Sequence, residues 1–366
     1  MIGLALSGGG SRAIAFQLGC MRALNDIGLL NRIGVISAVS GGAVIGAYYA
    51  YTPGKSFEEF EKDVREILQS GFQWEIAREL LRPSNLIQCI GSTTVTLTGE
   101  LLAAIAHKNP EVVRKFSRTE LFRQVLDRLL FQGLTTASPR RNGIEIVIGA
   151  SELRTGTAFR FGNMVSGSWR KGRLRDTTVD IALAVTASAA YPIFLPAMDR
   201  TWRFEKDGIE AEHRVLLTDG GVYDNLGTQV LEPGRNPLIS LHSFPCDYLI
   251  VCNAGQGQES VGSLPLSALP RIKRAFGVIH RRVQDSAMSH LHELRRTGEI
   301  KGFVMPYLGQ LDEKLTWKPS GLLPRSQVIS YPTDFAEMNK EWINRLSMRG
   351  EQLTRHLVAR YIPELI

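Results

Sequence analysis

The chain reads as an α/β protein, a three-layer sandwich with a mainly parallel central sheet, and three observations predict it. Short apolar runs of strand length stand at 2–6, 33–39, 144–150, 215–218 and 247–252. Stretches of helical periodicity separate most of them, and several of the runs end in glycine-rich turns. In such a fold the reactive groups gather at the carboxyl ends of the strands.

The first run, 2–6, is followed by Gly8, Gly9 and Gly10. Three consecutive glycines let the backbone take positive φ and turn its N–H groups towards one point. A helix over about 13–27 opens from this nest with its positive end facing the same point, where a developing oxyanion would be stabilised. The second run ends in Ser40, flanked by Ala38 before and Gly41 and Gly42 after, and leads into a helical run over 43–51. A strand-to-helix turn this tight strains its central residue, tolerates only tiny neighbours and pushes the side chain clear of the sheet. The usual elbow is Gly-x-Ser-x-Gly. Ala38 stands in the place of the first glycine and is still small.

A largely helical insertion follows over about 56–131. Ser56 with Glu59, and Ser117 with Glu120, have capping-box spacing, and 101–106 is a strongly apolar helical run. The insertion either packs on the sheet or forms a lid, in which case Trp74 and residues 101–105 would wall an acyl-chain channel. The sheet resumes at 144–150, where Glu145 interrupts the apolar run, and at 157–161. A helix over 179–189 leads to Pro192 and Pro196.

The run 215–218 ends in Asp219, Gly220 and Gly221. A carboxylate fixed at a strand end beside glycines can come within hydrogen-bonding reach of a serine at the end of a neighbouring strand, so Ser40 and Asp219 form a candidate dyad. Asp224 and Asn225 read as turn caps. Over 269–294, Ile272, Phe276, Ile279 and Val283 share one helix face, with Arg271, Lys273, Arg274, Arg281 and Arg282 elsewhere. Such a pattern more often packs an apolar face on a core than lies on a membrane. Asp334 and Glu337 have the spacing to open a last helix, about 334–361, covering the sheet. With no linker or repeat, the expectation is a single domain over 1–366.

The 366 residues carry a net charge of +7, which favours anionic lipid surfaces and would equally favour nucleic acid. No nucleic-acid module accompanies the charge, so no nucleic-acid partner is expected. Neither a Gly-x-Gly-x-x-Gly nor a Walker lysine pattern is present. The four cysteines (Cys20, Cys89, Cys246, Cys252) lack metal-ligand spacing and read as free thiols of a reducing compartment. With the first strand at the very start and no apolar run of bilayer-spanning length, the expectation is a cytoplasmic protein that meets membranes from one side. No histidine sits in a strand-end motif, although a Ser–Asp–His order using His242 competes with the dyad.

The ordered set of motifs resembles the patatin-like phospholipases, Ser/Asp lipid acyl hydrolases of bacteria and plants. Gly8 to Arg12 matches the family's glycine loop, Ala38 to Gly42 its nucleophile motif except at Ala38, and Asp219 to Gly221 its Asp-Gly-Gly motif. Residues 187–196 look like the stretch the family places before its aspartate strand. The resemblance covers roughly 2–230 and implies the same sandwich fold. It implies Ser40 as nucleophile, Asp219 as base, and Gly9, Gly10 and Arg12 around the oxyanion hole. The implied reaction is carboxylic-ester cleavage of the phospholipase A or lysophospholipase type through an acyl-serine intermediate, without cofactor or metal. Acyl transfer, thioester cleavage or a silent lipid-binding role would use the same residues, and Arg12 could instead be a structural partner.

Overall fold

All five residues of β1 (Ile2–Leu6) are buried, and their side chains divide between two cores, Ile2, Leu4 and Leu6 facing one and Ala5 the other. A strand covered on both faces needs apolar residues at successive positions, which is why the run does not alternate. The computed structural model describes residues 1–366 except 89, 93, 95–97, 99–115, 193, 258–266 and 316–319. After β1 come α1 (Gly10–Asp26), β2 (Ile33–Val39), α2 (Gly41–Tyr51), α3 (Phe57–Ser70), α4 (Phe72–Leu80) and α5 (Arg118–Leu126). Next are β3 (Glu145–Glu152), β4 (Thr157–Gly162), β5 (Ser166–Ser168), β6 (Gly172–Leu174), α6 (Ile181–Ala189), β7 (Met198–Lys206), β8 (Ile209–Asp219) and α7 (Gly221–Asp224). The chain continues with β9 (Tyr248–Cys252), α8 (Ala268–Thr297), β10 (Gly302–Val304) and α9 (Lys340–Tyr361).

The strands form one sheet in the order β10-β9-β1-β2-β3-β4-β5-β6-β7-β8, with an added β3–β8 pairing. From β10 to β3 every neighbour is parallel. The larger core packs α1, α2, α6 and α9 on one face, and Leu291 and Leu294 of α8 help cover the other. These are the three layers expected from sequence.

From β3 onward the pairing is antiparallel and closes on itself, because β8 pairs with both β7 and β3. β7 and most of β8 have no counterpart in the apolar runs. They form a hairpin whose outer half exposes one face, so charged residues such as Glu210 and Glu212 alternate through it. Its turn is Asp207-Gly208, with φ of 53° and 77°, the Asp-Gly signature of a tight hairpin.

The closure positions the two strand ends that matter. β2 lies parallel to β3 and leaves it at Val39 opposite Gly149. β8 arrives from the other direction along the same edge and ends with Asp219 opposite Ala150. Their carboxyl ends therefore meet head to head on one template strand. Ser188, the penultimate residue of α6, is pinned at this junction. Its hydroxyl donates to Gly149 O at 2.5 Å and accepts from Ser40 N–H at 2.8 Å, while its carbonyl accepts from Gly220 N–H at 3.0 Å.

Several local expectations shift. The Ser56–Glu59 capping box forms in both directions, but Ser117 makes no side-chain cap, and Glu120 pairs with Arg123 and Arg200 instead. The last helix begins at Lys340, capped by the Asn339 side chain accepting from Trp342 N–H at 2.9 Å. Asp334 lies outside it, and its carbonyl accepts the Ser11 N–H at 2.7 Å at the start of α1. The stripe of α8 expected to face a core is exposed at Ile272, Ile279 and Val283, because that half of the helix overhangs the sheet. Cys20, Cys246 and Cys252 are free and buried, and Cys89 lies outside the described residues.

Ser188→Ala leaves the buried Ser40 N–H and Gly149 carbonyl without this partner. Loss of such a bond costs about 1–3 kcal/mol, so the variant should unfold at lower urea concentration than wild type, with an unchanged slope. An unchanged midpoint would show that the junction does not depend on the hydroxyl.

Candidate active site

Ser40 is the residue between β2 and α2, and it holds φ 54° and ψ −121°, a conformation non-glycine residues rarely adopt. The surroundings force it. A Cβ on Gly41 would fall 2.3 Å from Gly10 O, and one on Gly42 2.3 Å from Leu6 O, so only glycine lets the head of α2 approach β1 and its loop this closely. Ala38 is fully buried within the sheet, paired with Leu6 and Ile148. A methyl group fits there, since the pinch lies after the serine rather than before it.

Asp219 is 4 % exposed. Its carboxylate accepts the Gly221 N–H at 2.7 Å, and the Ser40 hydroxyl stands close enough to lower its pKa. Burial pushes its pKa up to about 6, the Ser40 hydroxyl and the Gly221 N–H holding it back only in part. Tyr191 stands close enough for the Asp219 charge, after burial, to raise its own pKa.

The glycine loop divides its amides. Gly8 N–H is bonded to Asn225 O at 3.1 Å and Ser11 N–H to Asp334 O at 2.7 Å. Among the described residues the amides of Gly9 and Gly10, at the head of α1, have no acceptor. Gly10, with φ 60°, lies against Gly41, so the positive ends of α1 and α2 converge beside Ser40. Such a pair of amides next to a hydroxyl and a buried carboxylate can hold negative charge developing on an oxygen.

Arg12 sits beside the loop, its Nη2 3.4 Å from where a Cβ on Gly9 would stand. It is buried, donating Nε to Ala254 O and Nη1 to Tyr331 O, both at 3.1 Å, and so ties α1 to two later segments. His242 does not reach the dyad. Its Nε2 contacts Val165 O at 2.9 Å beside Gly162, and burial pushes its pKa down to about 4. The groups acting on the Asp219 carboxylate include no histidine.

Three contributors to the site are not among its expected residues. Ser188 is the bridge described above. Asn225, which reads as a turn cap, wedges its side chain between the loops, its Oδ1 lying 2.4 Å from where a Cβ on Gly8 would stand and 2.5 Å from one on Gly221. Asp334 contributes only a main-chain carbonyl, which no side-chain pattern could reveal.

Residues 101–105, the expected channel wall, lie outside the described residues. Trp74 is 68 % exposed. A cleft of about 600 Å³ opens beside α5 and β7, lined by Glu120, Gln124, Asp199 and Arg200 among others, and it includes neither Ser40 nor Asp219. Among the described residues no helix is long and apolar enough to cross a membrane.

Comparison with solved structures places this architecture beside human GIVD cytosolic phospholipase A2, at TM-score 0.53 and 13 % identity over 97 % of this chain and 58 % of that one. The same human enzyme in complex with methyl gamma-linolenyl fluorophosphonate aligns at TM-score 0.51 and 13 % identity, over 98 % and 57 % of the two chains. The present chain thus spans little more than half the length of that enzyme, and at this identity the likeness speaks to the fold alone. No protein of curated function matches the sequence. The model of the family described as patatin-like phospholipase matches residues 4–231, a stretch that contains the glycine loop, the strained serine and the Asp-Gly-Gly turn, and the chain belongs to that family.

Proposed function

We propose that the protein hydrolyses carboxylic esters of lipids, phospholipids foremost, with Ser40 as nucleophile and Asp219 as the base that activates it. One observation carries this reading: the Ser40 hydroxyl, held on a strained turn, stands close enough to a buried carboxylate to act on its pKa, which burial raises to about 6. A base poised near neutrality takes the hydroxyl proton and can return it to the leaving group.

In the first half-reaction Asp219 accepts the Ser40 proton as Oγ attacks the ester carbonyl. The carbonyl π pair moves onto oxygen, and the Gly9 and Gly10 amides stabilise the resulting charge. Collapse of the tetrahedral intermediate breaks the bond to the alcohol oxygen, which leaves with the proton from Asp219. In the second half-reaction Asp219 deprotonates a water that attacks acyl-Ser40. The same amides hold the second oxyanion, the fatty acid departs, and the proton returns to Ser40.

Ser40→Ala and Asp219→Asn should remain folded and lose ester hydrolysis, the second by about 10²–10⁴ or more. Mass spectrometry of phospholipid mixtures incubated with each protein checks this, and a fluorophosphonate probe should label wild type but not Ser40→Ala. Full turnover by folded Ser40→Ala would remove the assignment.

The pH dependence has a definite sign. The base works only when ionised, so kcat/KM should fall about tenfold per pH unit below pH about 6, with no loss immediately above it. A profile still flat at pH 4.5 would exclude Asp219 as that base.

Stability should move the other way. The folded-state pKa lies above the ordinary value of 3.8, so the native state favours the neutral carboxyl. That contribution is complete below pH about 4 and lost as pH rises through about 6. Asp219→Asn, which is neutral throughout, should melt no lower than wild type at pH 7.5, with any advantage shrinking towards pH 4.5. Thermal unfolding of both proteins across this range tests it.

A further inference from the structure

The 30 residues of α8 make a rod about 45 Å long, far longer than the strands beside it. Its carboxyl-terminal part is docked, with Leu291 fully buried and Leu294 3 % exposed against the core that includes Val35 and Leu249. Where it passes the carboxyl edge of the sheet can be read from its contacts. Gln284 is buried beside Gly255, and Arg281 donates to the Tyr307 hydroxyl at 2.8 Å, Tyr307 itself bridging Asn253 just after the end of β9. Residues 268–280 therefore extend beyond that edge, by about 20 Å of helix. Ser40 and Asp219 open from the same edge.

The overhang is built unlike a solvated helix end. Ile272 and Ile279 are each 64 % exposed, Val278 58 % and Val283 41 %. The chain here carries Arg271, Lys273, Arg274, Arg281 and Arg282 and no acidic residue until Asp285, which Arg281 engages. Exposed aliphatic side chains on a strongly cationic helix match a bilayer with anionic headgroups, which accepts the one into its acyl boundary and the other among its phosphates. Two more large apolar side chains stand on segments tied to the site. Phe194, 50 % exposed, follows the Ala190 carbonyl that holds Asp219 N–H. Trp74 lies two residues after Phe72, whose N–H binds Phe335 O next to Asp334.

We propose that the overhanging half of α8, together with residues 281–283 at its root, is an anchor for anionic lipid surfaces. Ile272 and Ile279 enter the interface, Arg271 and Arg282 bind lipid phosphates, and the carboxyl edge of the sheet is held against the membrane. The anchor goes beyond the ester chemistry and does not require it, so the two can fail separately.

The test is sedimentation of the full chain with vesicles of phosphatidylcholine alone or with one-third phosphatidylglycerol. Wild type and Ser40→Ala should both bind the anionic vesicles at least tenfold more tightly than the neutral ones, and less tightly as salt is raised. Ile272→Asp/Ile279→Asp and Arg271→Glu/Arg282→Glu should each weaken that binding at least tenfold. Their melting temperature and their turnover of a soluble short-chain ester should stay at the wild-type level, while turnover of vesicle phospholipid falls. Equal affinity for neutral and anionic vesicles, no binding by wild type, or unchanged binding by either double variant would overturn the proposal. So would a wild-type dimer that ignores vesicles and becomes monomeric in Ile272→Asp/Ile279→Asp, since the face would then belong to a second copy.

Discussion

β3 offers one edge to two strands in succession. β2 occupies it in parallel as far as Gly149, and β8 takes it up antiparallel from Ala150. Because the two run towards each other, the residue leaving β2 and the last residue of β8 are forced together. Neither could shift by one position without exchanging the faces of every side chain on its strand. The register of an apolar sheet thus sets the distance between a hydroxyl and a carboxylate nearly half the chain apart. Ser188 fixes the remaining freedom by bonding Gly149, the Ser40 amide and Gly220 at once.

The site collects features that a stable fold avoids elsewhere. Ser40 has positive φ, and among the described residues Asp219 is a carboxylate buried without a cationic partner while the amides of Gly9 and Gly10 lack acceptors. Each costs free energy alone. Together they are complementary, since the strained turn brings the hydroxyl to the carboxylate and the open amides lie where charge would develop. The surrounding core carries this cost. α1, α2 and β1 are buried along nearly their whole length, and Arg12 and Asp334 tie the head of α1 to the later loops.

The carboxyl edge of the sheet thereby gathers two kinds of surface. Two helix N-termini point at the Ser40–Asp219 pair from within. On the outside, the first half of α8 and the residues near Phe194 and Trp74 leave apolar surface unburied. At the opposite end of β9, Asp247 pairs with the Met1 amine and with Lys301.

Much of this was legible from sequence because it depends on local rules. Continuous apolar runs mark β1, β2 and β9 since both faces are covered, and the glycines at 8–10, 41–42 and 220–221 mark places where backbones must touch. What escaped depends on partners distant in the chain. The β7–β8 hairpin exposes one face and so carries no apolar run, Asp334 acts through a carbonyl, and Ser188 looks like any small residue on a buried helix. Arg12 and α8 show the same limit, since a side chain's type does not reveal whether a carbonyl or solvent faces it. The sequence by itself determined which residues could do chemistry and which strands could be central, through residue size, charge and period. Only the tertiary structure decided that Ser40 and Asp219 come together, because their proximity is made by the order in which strands join the edge of β3.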